Sequence, residues 1–424
     1  MIRSGYAVTE PSDSRILLRM LYLSFVFFVL LRIGLNALIL NQFINYTTLE
    51  GSTIEKIHPA FYGIGLVALG ILLNFRIELS GQDVGILRAI IVFLAGICGL
   101  LLMLSVSGQS TSSGYILDTY IVACMAMFVM MTLPNQWRSN LGELILLFLI
   151  LSALVGIAEF ALRTRLLPYA AGEDVFRPTG LSDHPLQLGQ WCAVGICFLS
   201  VARWRPSFKL MGVVILLVGA LASGARIASL AACVSCALFL VLEPMPARSR
   251  VDAIQRKMML GIAGLIVLIT IIAVMFALGA LSRFEGGFVD QSSLARVSIY
   301  GVFDYLTWKE FLFGADIARV QRIALDVFGL PFIESSFVVF TVQFGLIGAI
   351  LFALLLANLF RALLKGRSAI VMLATVMFFA LALTNNALSV KSADILMITL
   401  LTMCDFTSRS GRWISRWCGC CAYW

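Results

Sequence analysis

The sequence predicts an all-α, polytopic integral membrane protein with about 12 transmembrane helices and one large extracytoplasmic loop that contains short amphipathic helices. Of the 424 residues, 60% are hydrophobic and only 13% are charged, which is too little polar sequence to cover a water-soluble globule of this size. Apolar runs of about 20 residues, the length that a helix needs to cross a bilayer, follow one another with short polar breaks. Runs such as MMLGIAGLIVLITIIAVMFALGAL are apolar on every face, whereas the strands of a transmembrane barrel alternate in character, so the spans are expected to be helices.

The hydrophobic runs predict one polytopic membrane domain over residues 1–424, since no internal repeat, low-complexity segment or soluble domain separates them. The first run follows Glu10, Asp13 and Arg15 and lacks a small-residue cleavage site, so we interpret it as an uncleaved span. The expected spans are 16–41, 59–75, 88–107, 117–133, 142–162, 188–202, 209–222, 227–243, 258–281, 335–360, 369–387 and 393–405.

Lysine and arginine residues concentrate in alternate loops. The loops on the side of the N-terminus hold most of them, although the longest loops lie on the opposite side. By the positive-inside rule, both termini are therefore expected in the cytoplasm. The net charge of +8 reflects this topology and does not mark a basic soluble domain, so nucleic acid is not an expected partner.

Two polar segments are expected on the outer side, residues 163–187 and residues 282–334. Within the second, SSLARVSIYGVFDYLTWKEFLFG places apolar residues at near-helical spacing, which predicts an amphipathic helix on the membrane surface that ends at Gly314. A second short helix is expected from Ile317 to Val327, stopped by Gly329 and Pro331. Neither segment contains cysteine, so a disulfide framework is not expected there.

Three arginines that are expected on the outer side are candidates for binding an anion. Arg226 ends Ser223-Gly224-Ala225-Arg226, a break so short that the seventh and eighth spans must form a tight hairpin. A cation inside a span costs roughly 2.5–3.5 kcal/mol and less near the boundary, and the planar guanidinium suits phosphate because it donates two parallel hydrogen bonds. Arg296 begins the surface helix, and Arg177 begins RPTGLSDHP. The alternatives are a snorkelling side chain for Arg226 and ordinary surface charge for Arg177 and Arg296.

His184 and Glu334 are the candidates for proton transfer. The unperturbed pKa of histidine, about 6.5, makes His184 a proton carrier or hydrogen-bond donor at the mouth of the sixth span; the alternative is a histidine that caps this helix. Glu334 precedes Ser335 and Ser336 at the start of the tenth span. Partial burial there would raise the pKa of Glu334 toward the working range of a general base, while a carboxylate that only caps the helix N-terminus is the alternative.

These motifs together resemble the O-antigen ligase/polymerase family. Their order is Arg-Pro-Thr-Gly-x-x-x-His-Pro, the Ser-Gly-Ala-Arg hairpin, a large outer loop with an arginine-led helix and a Phe-Gly turn, Glu-Ser-Ser, and then Phe-Gly-Leu-Ile-Gly at 344–348. The resemblance covers residues 177 to about 358, while the first five spans match only in hydropathy. Exopolysaccharide polymerases of succinoglycan-type or biofilm-polysaccharide pathways resemble this chain most.

The resemblance implies a glycosyltransferase of the bacterial inner membrane that needs neither metal nor cofactor and acts on undecaprenyl-diphosphate-linked glycans at the extracytoplasmic face. It implies that Arg226 and Arg296 bind the lipid diphosphate, with Arg177 as a third contact, and that an acceptor hydroxyl attacks the anomeric carbon. Ligases of the family usually carry a histidine in the second half of the large loop. This chain has none there, and Glu334 stands near the expected place, which favours a polymerase. Membrane lipid, a chain-length regulator and export proteins are the further expected partners.

Three other functions stay open at this point. An O-antigen-type ligase would use a different acceptor in the same reaction. A secondary transporter or flippase of lipid-linked oligosaccharide would show inverted repeats, Gly- or Pro-broken helices and ionisable residues at mid-membrane, and apart from Arg32 the sequence indicates little of this. A non-catalytic membrane scaffold is the third.

Overall fold

A computed structural model of the chain shows only helices as regular secondary structure in the part of the chain that it describes, which confirms the all-α part of the predicted fold class. The structure describes residues 12–47, 52–79, 81–106, 114–169, 176–242, 250–277, 279, 297–330 and 332–404.

The helices follow the hydrophobic runs. In chain order they are α1 (Ser12–Gly34), α2 (Ala37–Leu40), α3 (Pro59–Asn74), α4 (Gly81–Val106), α5 (Val122–Thr132), α6 (Asn135–Leu162), α7 (Pro185–Val201), α8 (Pro206–Ala222), α9 (Arg226–Leu242), α10 (Arg250–Ala277), α11 (Trp308–Phe313), α12 (Ile317–Phe328), α13 (Ser336–Leu364), α14 (Ala369–Ala382) and α15 (Asp394–Met403). A π-helical turn, Ile116–Ile121, leads into α5, and a 3₁₀ helix, Ile299–Tyr305, precedes α11. Each predicted span coincides with a helix, except that the first is broken after Gly34 and continues as α2.

Among the residues that the structure describes, five helices are long and apolar enough to cross a membrane, which agrees with a helical membrane protein. Seven further apolar helices are shorter, with 10–17 residues each. The number of twelve crossings and the side on which the large loop lies therefore remain predictions. The five long segments are Arg15–Gly34, Gly81–Val106, Asn135–Leu162, Ile254–Ala277 and Ser336–Leu364.

Helix α7 lies at the centre of the bundle. Its residues from Gln187 to Ser200 are buried on every side, and it packs against α6, α8, α9 and α14. Small residues allow these helices to approach closely, as at Gly189, where an added Cβ would lie 2.9 Å from the side chain of Ala228 on α9. The central position of α7 brings its first turn next to the loops that connect its neighbours.

A glycine interrupts α13 in its first half. Gly345 has φ 70° and ψ 166°, a backbone conformation that is essentially restricted to glycine. At this break the chain before Ala315 packs directly on α13: Ala315 N–H donates to the Val342 carbonyl oxygen at 2.7 Å, and a Cβ on Gly314 would lie 2.7 Å from the Gln343 carbonyl oxygen. The Phe-Gly turn and the Phe-Gly-Leu-Ile-Gly motif of the sequence are thus the two sides of one backbone contact.

Residues 297–330 and 332–335, together with the first half of α13, form a small unit, which we call the loop module. Its own core consists of Ile299, Val302, Ala315, Val320, Ala324, Ile333, Val338 and Val342. The predicted surface helix is in fact a 3₁₀ helix followed by α11. Of the apolar residues whose spacing predicted it, Ile299 is buried in this core and Phe303 and Leu306 pack against it, whereas Val297 is exposed. The expectation that Ile299 faces the membrane was therefore wrong. The second predicted helix is present as α12, and Gly329 ends it with φ 65°.

We expect Gly345→Ala to lower the free energy of unfolding by about 3 kcal/mol or more. An alanine there would combine an unfavourable φ/ψ, which costs about 1–3 kcal/mol, with a collision between its Cβ and the Leu312 carbonyl oxygen. The measurement is unfolding of the purified protein by SDS in mixed micelles.

Gly366→Ala is the matched control, because Gly366 also has a positive φ of 76° but no atom within 4 Å of the added Cβ. This variant should lose only the roughly 1–2 kcal/mol of the left-handed conformation. Equal losses for the two variants would contradict the importance of the backbone contact.

Candidate functional site

Glu159, near the end of α6, holds the 176–184 segment against the bundle. One carboxylate oxygen of this buried residue accepts hydrogen bonds from the N–H groups of Thr179 at 2.9 Å and Gly180 at 2.8 Å. The other accepts from Leu166 N–H at 2.8 Å. Gly180 has φ 57°, and a Cβ there would collide with the backbone of α6. The Thr-Gly pair of the RPTGLSDHP motif is thus explained by the close packing of this segment against α6.

Arg177 joins the same segment to the turn between α8 and α9. The side chain is buried, and its Nε donates to the Ser223 carbonyl oxygen at 3.1 Å. Gly224 follows with φ 64° and lies against the Arg177 side chain. Arg226 then begins α9 and is partly exposed. Two of the three predicted arginines therefore lie on elements in direct contact, whereas Arg296 lies outside the residues that the structure describes.

His184 caps the N-terminus of α7, as one of its two predicted roles requires. Its Nδ1 accepts a hydrogen bond from Leu186 N–H at 3.1 Å, so in the neutral imidazole the proton is on Nε2. The ring packs edge-on against Tyr169, with centroids 5.7 Å apart, and the Arg165 guanidinium lies 4.5 Å from the centroid of Tyr169. His184 is therefore a hydrogen-bond donor through Nε2–H while the cap is intact.

Asp183 anchors the loop that follows α1. Its Oδ1 accepts from Ala37 N–H at 2.7 Å, and Asn36 Nδ2 donates to the Leu181 carbonyl oxygen at 3.3 Å. Burial raises the pKa of Asp183 to about 6, and the positive charge of Arg32 together with backbone N–H donors limits the increase. This carboxyl group lies in a connecting segment beside His184 and is a titratable group that the sequence analysis did not select.

A buried polar cluster around Asp394 was also missed. Gln187 Nε2 and Trp191 Nε1 both donate to Asp394 Oδ1, at 2.9 and 2.6 Å. One turn along, Asn385 Nδ2 donates to Gln190 Oε1 at 3.2 Å. Two signals were present in the sequence: an aspartate that opens an apolar helix, and polar side chains that recur at helical spacing in an otherwise apolar run.

Asn385 also connects α7 with the start of α13. Its carbonyl oxygen accepts from Ser336 N–H at 3.4 Å and from Ser336 Oγ at 3.1 Å. Ser335 caps α13 by accepting from Val338 N–H at 3.4 Å. Glu334 precedes this cap and is exposed, so the partial burial expected for it is not found. The predicted capping role belongs to Ser335.

A second buried cluster surrounds Arg32. Its guanidinium donates to the Asp118 carbonyl oxygen at 3.1 and 3.3 Å. The Asp118 carboxylate accepts from Tyr46 OH at 2.9 Å and from His58 N–H at 3.0 Å. Lys391 Nζ donates to the Tyr46 carbonyl oxygen at 2.8 Å. These hydrogen bonds connect the π-helical turn to the segments that precede α3 and α15. Buried polar groups therefore hold the loops at this end of the bundle together.

The arrangement offers hydrogen-bond donors and cations for an anionic group at the turn that precedes α9. Among the described residues, no three His, Cys, Asp or Glu side chains are grouped to hold a metal ion. Comparison with known proteins gives no match among protein-family models, curated proteins or solved structures.

We expect His184→Ala to lower the free energy of unfolding by about 1 kcal/mol, because Leu186 N–H loses its acceptor at the helix cap. His184→Asn should restore most of this loss, since asparagine is among the preferred N-cap residues. Thermal unfolding of the purified variants measures both effects. An asparagine variant as unstable as the alanine variant would show that ring packing on Tyr169, and not the cap, stabilises this site.

The raised pKa of Asp183 predicts a pH dependence of stability. The carboxyl group ionises near 3.8 when unfolded and at about 6 when folded, so between these values the folded state binds the extra proton. The contribution of Asp183 to the free energy of unfolding is therefore greatest below about pH 4 and is lost as the pH rises through about 6.

The comparison is between the wild type and Asp183→Asn, whose side chain stays uncharged and keeps an acceptor oxygen for Ala37 N–H. The difference in their free energies of unfolding should shift in favour of the variant between pH 4 and about 6, and stay constant above pH 7. A difference that is independent of pH would contradict burial as the cause.

Proposed function

We propose that this chain is a membrane glycosyltransferase that polymerises undecaprenyl-diphosphate-linked oligosaccharide repeat units at the extracytoplasmic face of the bacterial inner membrane. The observation that supports this most is the hydrogen bond from Arg177 Nε to the Ser223 carbonyl oxygen. It joins the RPTGLSDHP segment to the Ser-Gly-Ala-Arg hairpin, the two motifs with which the resemblance to the O-antigen ligase/polymerase family begins.

Arg226 is the proposed binding group for the lipid diphosphate. It is the first residue of α9 and partly exposed, so a ligand can reach both its guanidinium and the N-terminal end of a 17-residue helix. Backbone N–H groups and the helix dipole favour an anion at such a position. Arg177 is buried, with Nε bonded to the turn, so we assign it the positioning of this turn in place of direct diphosphate contact.

The proposed reaction is glycosyl transfer to a hydroxyl of the acceptor glycan. The hydroxyl oxygen attacks the anomeric carbon, the bond from that carbon to the diphosphate oxygen breaks, and the lipid diphosphate leaves. The hydroxyl proton passes to a base, for which the exposed carboxylate of Glu334 is the proposed residue. Arg226 and Arg296 stabilise the charge that develops on the diphosphate, and His184 Nε2–H is a further proposed donor.

A transporter or flippase of lipid-linked oligosaccharide is the second candidate, because the structure adds two features to the Arg32 that the sequence already indicated: the interruption of α13 and the buried Asp118. Helix α13 is interrupted at Gly345, and Arg32 and Asp118 are buried in the bundle. Interrupted helices and buried ionisable residues are typical of transporters. A ligase would share the proposed site and differ in its acceptor.

The location of the lipid-linked repeat unit in a deletion strain distinguishes these functions. Loss of a polymerase should leave single lipid-linked units at the outer face of the membrane, whereas loss of a flippase should leave them at the cytoplasmic face. Loss of a ligase should leave long lipid-linked polymer that is not transferred. Accumulation at the cytoplasmic face would refute the proposed function.

We expect Arg226→Ala to reduce the rate of polymer formation about 10²–10³-fold, the effect of removing one preorganised donor from a developing anion. Arg226→Lys should recover only part of the activity, because an ammonium group keeps the charge but not the two parallel donors. Polymer length on gels and lipid-linked units per cell measure the effect, at matched protein levels in the membrane.

Arg322→Ala is the matched control, since Arg322 is exposed on α12 in the loop module and has no proposed role in the reaction. It should support normal chain length. Normal chain length in Arg226→Ala would remove Arg226 from the site.

A further inference from the structure

Two large aromatic side chains of the short helix α11 are exposed. Trp308 begins the helix with 79% of its surface accessible, and Phe313 ends it with 58% accessible. Between them, Phe311 packs inward against Phe303, with ring centroids 5.4 Å apart. The helix thus contributes to the loop module on one side and presents bulky apolar groups on the other.

The depth of α11 relative to the membrane follows from its contact with α13. A Cβ added to Gly345 would collide with the backbone at Leu312 and Phe313, so Phe313 and Gly345 lie at the same height along α13. From Leu346 to Leu364 the helix rises about 28 Å at roughly 1.5 Å per residue, which is close to the ~30 Å thickness of a bilayer's hydrocarbon core. If this segment spans the hydrocarbon, Gly345 lies at its outer boundary.

The exposed surface of α13 below the break supports this position. Ile347, Ile350 and Leu354 are all more than half exposed, as expected for a face of a membrane-crossing helix that contacts lipid. At the other end, Arg361 and Lys365 are exposed, where cations reach the headgroups of the inner leaflet. Phe313 of α11 is exposed and lies beside Gly345, next to this apolar face of α13.

We propose that α11 anchors the loop module in the outer leaflet of the bilayer, with Trp308 and Phe313 inserted at the boundary between headgroups and hydrocarbon. Tryptophan is enriched at this depth because its large ring is apolar while its N–H remains hydrogen-bonded. The exposed Lys309 beside Trp308 provides a cation for lipid phosphate. The partner of this surface is phospholipid, and the inference requires only that α13 crosses the membrane, not the proposed enzymatic function.

The charges around α11 are compatible with insertion at this depth. The one carboxylate of the helix, Glu310, accepts hydrogen bonds from Thr307 N–H and Thr307 Oγ and pairs with Arg319. It is therefore directed back to the loop module, and the N-terminal end of α11 is closed by its own capping box. Within α11 itself, the exposed surface that remains is aromatic and cationic, and the nearest exposed carboxylates, Asp304 and Asp316, lie outside the helix.

Quenching of tryptophan fluorescence in nanodiscs tests this proposal on the full-length protein. The emission of Trp308 is obtained as the difference between the wild type and Trp308→Phe, a substitution that keeps an aromatic ring at the position. The nanodiscs contain phosphatidylglycerol and phosphatidylethanolamine, with phospholipid brominated at shallow acyl positions as one quencher and aqueous iodide as the other. Both faces of a nanodisc are accessible, so the orientation of the protein does not affect the result.

Brominated lipid is expected to remove most of the Trp308 emission, and iodide is expected to remove little of it. Trp204→Phe supplies the positive control, because Trp204 lies between α7 and α8 at the predicted inner boundary. Quenching of Trp308 by iodide and not by brominated lipid would overturn the proposal, because the side chain would then face water. Quenching by neither would overturn it too, because protein would then cover the ring.

Discussion

The carboxylate of Glu159 is the interaction on which the candidate site depends. It accepts three backbone N–H groups, from Leu166, Thr179 and Gly180, so it closes both ends of the connection between α6 and α7. Without it, these N–H groups would be left without their acceptor in the bundle, each at a cost of about 1–3 kcal/mol. Of the hydrogen bonds between the 176–184 segment and α6, the one from Leu181 N–H to Ser152 Oγ at 3.1 Å would remain, so Arg177 would be positioned less firmly against the α8–α9 turn. The surface that we propose to bind an anion is therefore built on an acidic residue inside the bundle.

The sequence predicted the helices well because a run that is apolar on every face has only one way to satisfy its backbone in lipid. It could not predict the interruption at Gly345, since a glycine has the same hydropathy whether its φ is negative or positive. The loop module shows a related limit. The spacing of Ile299, Phe303 and Leu306 correctly indicated an apolar face that needs covering, but not what covers it. We expected membrane, and residues of α12 and α13 cover it instead.

The parts of the candidate site that lie in contiguous motifs could be predicted from the sequence. The pairing of residues that are distant in the chain could not. The RPTGLSDHP segment and the Ser-Gly-Ala-Arg hairpin were visible as motifs, and the capping role of His184 was one of two predicted roles. Asp394 lies at the start of the twelfth expected span and was not selected, because its partner Gln187 lies 207 residues away in the chain. A single sequence does not reveal such pairings, although a carboxylate at the start of an apolar helix needs donors from somewhere.

Arg226 was predicted to bind the anion directly and Arg177 to be a third contact, and their surroundings give them different roles. The hydrogen bond from Arg177 to the Ser223 carbonyl oxygen fixes the turn in which Gly224 adopts φ 64°, and that turn decides where α9 begins. A guanidinium remains protonated when buried, and its charge acts more strongly there than in water because the surrounding dielectric is low. An anion at Arg226 would thus contact one guanidinium directly. It would also be attracted by the electric field of the buried Arg177 charge, which lies against the turn. Lysine at position 177 would keep that field but lose the planar Nε donor that sets the geometry, so the arginine is required for the structure of the site as well as for its charge.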